Sequence, residues 1–107
     1  MTKIDREQLK QMMDQDAVIV VDVLGAEAYD SFHLPGAINV PVGDDFEEQI
    51  REAVPDQHQP VAVYCLDEDC NASPTAARRM ESLGYDRVYD YAAGKLDWRQ
   101  AGLPVER

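Results

Sequence analysis

Val61-Ala62-Val63-Tyr64-Cys65-Leu66-Asp67-Glu68-Asp69-Cys70-Asn71-Ala72-Ser73-Pro74 is the stretch that decides the fold. Its first four residues form a short, continuous apolar run, as in a strand buried on both faces. Ser73 followed by Pro74 reads as an N-cap and a first helical residue. The helix behind them turns Ala76, Met80 and Leu83 inward and stops at Gly84, a C-terminal cap. A strand thus delivers the Cys65 thiol to a loop. The next helix points unpaired N–H groups and its positive dipole end back at that thiol. Reactive, low-pKa cysteines arise in such settings. The loop departs from the pattern: it carries three consecutive acids, Asp67, Glu68 and Asp69, where a thiolate site would carry cations.

Working outward, Asp5 and Gln8 read as a capping box that opens a helix to about Asp14, with Leu9, Met12 and Met13 inward. Ala17 to Val23 is a second buried strand, Ala26 to Asp30 a short helical turn, Pro35-Gly36-Ala37 a turn, and Ile38 to Val40 a short strand. Asp44 with Glu47 reads as another capping box, for a helix to about Ala53 that buries Phe46 and Ile50. Arg87 to Tyr91 is the last strand, followed by a short helix around Leu96-Asp97-Trp98. Strands alternating with helices predict an α/β fold. Its sheet is mostly parallel, with about five strands and helices on both faces, all in one domain over residues 1–107. In such sheets the working site lies beyond the carboxyl ends of the strands, where Cys65 and Asp22 both fall.

The chain has 107 residues and a formal net charge of −11, from 10 Lys+Arg against 21 Asp+Glu. No basic stripe exists to neutralise phosphates, so nucleic acid and anionic membranes are excluded as expected partners. Neither a signal region nor a membrane-length apolar run is found, which makes a cytoplasmic protein the expectation. The two cysteines are too few for a disulfide scaffold and fit a reactive or redox role better.

Three blocks make the chain resemble the rhodanese-like domain, a single-domain sulfurtransferase fold. The first is Val21-Asp22-Val23 with Glu27, Tyr29 and His33-Leu34-Pro35-Gly36-Ala37-Ile38-Asn39-Val40-Pro41. The second is Val63-Tyr64-Cys65 with the Ala76-Ala77-Arg78-Arg79 helix and Leu83-Gly84-Tyr85. The third is Val88-Tyr89, Ala93-Gly94, Trp98 and Ala101-Gly102-Leu103-Pro104-Val105. The resemblance implies a sulfur relay on Cys65: its thiolate takes sulfur from a donor as a persulfide and passes it to a thiol or other nucleophilic acceptor. It implies no cofactor and no metal.

The departures from the family pattern bear on substrate. The usual Cys-x-x-Gly-x-Arg-Ser loop is two residues longer here and lacks both glycine and arginine. Leu24 stands where an arginine is common, and Phe32 where a glycine is common. The acids should raise the Cys65 pKa unless they face solvent, which makes thiosulfate, a dianion, a poor substrate. A persulfide donor, and a basic protein partner attracted by the acidic loop, fit better.

The remaining candidates carry alternative roles. Cys70 could resolve a persulfide or sulfenate on Cys65 as a disulfide, giving a thiol redox switch, or could simply pack in the missing arginine's place. His33 resembles a family histidine that braces the Pro35-Gly36-Ala37 turn. Asp22 anchors the neighbouring loop, Trp98 plugs the core, and Arg78 and Arg79 are helix-surface residues. A zinc site from Cys65, Cys70 and His33 lacks a fourth ligand. Three functions therefore stand: a sulfurtransferase, a non-catalytic rhodanese-like binding or regulatory module, and the redox switch. A monomer is the default assembly.

Overall fold

A computed structural model describes residues 1–107. Five strands run parallel in the order β1-β5-β4-β2-β3. They are β1 (Thr2–Lys3), β2 (Ile19–Asp22), β3 (Ile38–Asn39), β4 (Val61–Tyr64) and β5 (Val88–Tyr91). Helices α1 (Arg6–Asp14), α2 (Ala26–Ser31), α3 (Phe46–Ala53), α4 (Ala72–Ser82) and α5 (Gly94–Gln100) connect and follow them. The α/β class, the parallel sheet and the helices on both faces match the sequence expectation.

Strand alternation divides the core in two. Val21, Val23, Val61, Val63, Cys65 and Val88 face α3 and α4, packing against Phe46, Ile50, Ala76, Ala77 and Met80. Val20, Ala62, Tyr64 and Tyr91 face the other way, against Leu9 of α1 and Trp98 of α5. Trp98 is therefore a core plug, its Nε1–H donated to the Pro104 carbonyl at 2.8 Å. With four fully buried residues, β4 occupies the middle of the sheet.

Local signals explain most element ends. The Asp5–Gln8 capping box forms in both directions, at 2.8 and 2.9 Å. Helix α4 gives way after Leu83 to Gly84, whose φ of +100° suits glycine. Two expected caps do not form. The Asp44–Glu47 box is absent because Glu47 turns instead to Arg79 of α4, tying the two helices together. Ser73 is not an N-cap: α4 begins at Ala72, so the loop proper is Leu66 to Asn71 and Pro74 is the third helical residue. The edge strand β1, absent from the sequence reading, holds to β5 through pairs Thr2–Tyr89 and Lys3–Asp90.

One group in the core is electrostatically costly. Asp90 is buried beside Val63 on the α4 side of the sheet, and neither carboxyl oxygen has a hydrogen-bond partner in the protein. Burying a polar group without a partner costs about 1–3 kcal/mol. Asp90→Val fits the surrounding valines and is expected to raise stability by about 1 kcal/mol or more, read as a higher urea midpoint with an unchanged m-value.

Candidate active site

Cys65 is the first residue past β4 and is fully buried. Three contacts surround its Sγ: the Asp67 carbonyl at 3.9 Å, the Cys70 carbonyl at 3.6 Å and the Ser73 hydroxyl at 3.7 Å. The early start of α4 explains the last of these. With Ala72 and Ser73 already wound into the first turn, the Ser73 side chain is buried against the thiol rather than capping the helix.

The other wall of the loop is α5. Its first turn donates Lys95 N–H to the Cys65 carbonyl at 2.9 Å and Leu96 N–H to the Leu66 carbonyl at 3.0 Å. Gly94 makes this approach possible. It has φ +77°, and a Cβ there would lie 2.5 Å from the Leu66 carbonyl and 2.6 Å from the Asp67 nitrogen. Within the loop, Asp67 accepts from Asp69 N–H at 3.1 Å, and Cys70 N–H donates to the Asp67 carbonyl at 3.2 Å, which gives a tight turn. Glu68, Asp69 and Asn71 are exposed, and Asp67, Cys70 and Ala72 half-buried. Leu66 is one of two large exposed hydrophobic residues in the chain.

The thiol is held protonated. Burial first, and then the Cys70 side chain, push the Cys65 pKa up to about 11, against the opposing pull of the Ser73 N–H and hydroxyl. The strand–loop–helix setting predicts a low pKa, and the acids a rise only if they do not face solvent; Glu68 and Asp69 are exposed, and desolvation of the sulfur is the largest cause of the rise. Both cysteines are free thiols.

Asp22 and His33 lie in a neighbouring network. Asp22 accepts from Leu24 N–H at 2.9 Å and from the Tyr64 hydroxyl at 2.8 Å, on the sheet face opposite Cys65. Burial raises its pKa against these hydrogen bonds and the charge of Lys95. His33 stacks on Tyr29 with ring centroids 3.8 Å apart and Nδ1 2.8 Å from the Tyr29 carbonyl. The turn itself is held by Tyr29, whose hydroxyl donates to the Ala37 carbonyl at 2.6 Å, and by Glu106, which accepts from Gly36 N–H at 2.8 Å. Neither Asp22 nor His33 hydrogen-bonds to the sulfur.

Lys95 was not legible as a site residue. Its ammonium is buried, donates to the Ala28 and Phe32 carbonyls at 2.6 and 2.9 Å, and sits 4.2 Å from the Phe32 ring centroid. Burial lowers its pKa, while Asp22 opposes that shift. It fastens the end of α2 to the helix that holds the Cys65 loop. Arg79 is committed to Glu47, to the Gly43 carbonyl and to the Phe46 ring, so it supplies no cation to the thiol. No group of three or more His, Cys, Asp or Glu side chains is arranged to hold a metal ion.

A family profile described as the rhodanese-like domain matches residues 5–101. The chain belongs to the rhodanese-like domain family. The thiosulfate sulfurtransferase GlpE of Pseudomonas syringae is 32% identical over 97 residues, covering 91% of this chain and 86% of that protein. An HTH-type transcriptional regulator of Mycobacterium tuberculosis is 34% identical over 103 residues, 96% of this chain but 44% of the regulator. The chain spans about half the length of several such relatives. Among solved structures, the BH2092 protein from Bacillus halodurans superposes with a TM-score of 0.87 at 31% identity, over 98% of this rhodanese-like chain and 76% of that one. Two family relatives carry the name thiosulfate sulfurtransferase, the Pseudomonas syringae protein above and PspE of Escherichia coli. No helix is long and apolar enough to cross a membrane.

Two measurements probe the cradle. Alkylation of Cys65 by iodoacetamide, followed in a Cys70→Ser chain, should climb about ten-fold per pH unit above neutrality and level off only toward pH 11. Because folding raises this thiol's pKa above its ordinary 9.0, its contribution to stability is complete below pH 9 and is lost as pH rises toward 11. Gly94→Ala should cost about 1–3 kcal/mol and change Cys65 alkylation several-fold, since the added methyl meets loop backbone; an unchanged rate and midpoint would count against the clamp.

Proposed function

We propose that this rhodanese-like domain is a sulfurtransferase that carries sulfane sulfur as a persulfide on Cys65. The carrying observation is the sulfur's position at the carboxyl end of β4, with the Ser73 N–H and hydroxyl aimed at it from α4. In the first step the Cys65 thiolate attacks the outer sulfur of a donor R–S–SH. A Cys65 Sγ–S bond forms, the donor's S–S bond breaks, and RS⁻ leaves. In the second step an acceptor thiolate attacks the outer sulfur of the Cys65 persulfide, takes it away and restores the Cys65 thiolate. The Ser73 donors stabilise sulfur anions on both sides of the exchange.

The donor follows from charge. The acids of the loop, with no arginine among them, repel a thiosulfate dianion, so a persulfide on a small thiol or a basic protein is the preferred donor. The raised Cys65 pKa favours a second reading, a rhodanese-like module that binds or regulates without turnover. Loading separates the two. A Cys70→Ser chain incubated with glutathione persulfide should gain one sulfur atom per chain by intact mass, and far less with thiosulfate; Cys65→Ser should gain none. Absence of added sulfur with either donor would defeat the sulfurtransferase reading and leave the binding module.

A further inference from the structure

A second free cysteine, Cys70, lies in the same turn as Cys65. The Cys70 carbonyl lies 3.6 Å from the Cys65 Sγ, and both cysteines pack against the same core cluster. Five positions apart in one tight turn, they differ in access: Cys65 is fully buried and Cys70 half-buried. The turn is held by the Cys70 N–H on the Asp67 carbonyl and by the α5 clamp on Cys65 and Leu66. These hydrogen bonds fix both main chains and leave side-chain rotation as the main remaining freedom. The Cys70 side chain already interacts with the Cys65 thiol.

Building on the persulfide reading above, we propose that Cys70 discharges the Cys65 persulfide inside the chain, releasing the sulfur as hydrosulfide and closing a Cys65–Cys70 disulfide. The Cys70 thiolate attacks the inner sulfur, Cys65 Sγ. A Cys65–Cys70 S–S bond forms, the bond from Sγ to the outer sulfur breaks, and the outer sulfur leaves as HS⁻. Sulfane sulfur is reduced to sulfide while the two cysteines are oxidised. A thiol reductant then restores both thiols in two exchange steps, giving its own disulfide. The cycle sums to R–S–SH + 2 R′SH → RSH + H₂S + R′S–SR′.

One physical argument favours this route over delivery to an outside acceptor. An attacking group held in the same turn avoids the entropy cost of a second encounter. The domain then acts as a persulfide reductase, with a thiol reductant as the co-substrate.

The test uses glutathione persulfide carrying an isotopically labelled outer sulfur, added to the reduced full chain without further reductant. Labelled hydrosulfide is trapped and the protein mass followed. The intact chain should release about one labelled hydrosulfide per chain and end two hydrogen atoms lighter, with Cys65 and Cys70 linked in the peptide map. Cys70→Ser and Cys70→Ala should instead hold the labelled persulfide on Cys65, with hydrosulfide release slowed roughly ten-fold or more. Stable persulfide on the intact chain with Cys70 free, or equally fast release from the Cys70 variants, would overturn the internal discharge while leaving the sulfurtransferase reading intact. If none of the chains takes up label, both readings fall together.

Discussion

The structure around the thiol depends on one interaction, the seating of the α5 amino terminus on the loop that follows β4. Lys95 and Leu96 N–H groups are among the unpaired donors that every helix presents at its start, and here they are spent on the Cys65 and Leu66 carbonyls. Without Gly94 the helix could not come close enough, because any side chain at φ +77° would enter the loop backbone. The same residue stretch sends the Lys95 side chain back to the end of α2, so loop, α5 and α2 are braced through two adjacent residues. Cys65 is held by its main chain from one side and approached by α4 from the other.

Much of this was legible in the sequence, for physical reasons. Four apolar residues ending at a cysteine could only be a central strand, and β4 spans Val61–Tyr64 as read. The Asp5–Gln8 box and Gly84 are local devices whose geometry is carried by a few neighbouring residues. What stayed hidden depends on distant partners. β1 has two exposed residues and exists only because β5 offers an open edge. Ser73 reads as a cap by type, but its hydroxyl meets the thiol and the helix starts two residues early, at Ala72. Lys95 carries no sequence signal of a site residue, since lysine is rarely buried. Only the fold brings the Ala28 and Phe32 carbonyls to it.

The electrostatics of the site also change once the loop has a shape. Three consecutive acids beside a thiol look like the force that governs its ionisation. In the folded chain Glu68 and Asp69 are exposed, where water screens them, and half-buried Asp67 turns its carboxylate to the Asp69 N–H. Removal of the sulfur from water dominates instead, with Cys70 adding to it and Ser73 opposing it. The acids act at the surface, on what approaches, and the buried groups act on the sulfur. The exposed acids of the loop and the groups that act on the sulfur are therefore different residues.

This separation bears on how a rhodanese-like domain can work with so protonated a cysteine. A thiol pushed up to about 11 exposes little thiolate at neutral pH and is protected from indiscriminate alkylation or oxidation. Once a persulfide forms, its charge sits one atom further out, closer to solvent and away from the desolvating core. The burial that suppresses the thiolate therefore weighs less on the loaded form, which favours loading once a suitable donor arrives. A buried resting thiol, a half-buried second cysteine and an acidic rim thus stand together in one turn, each meeting solvent to a different degree.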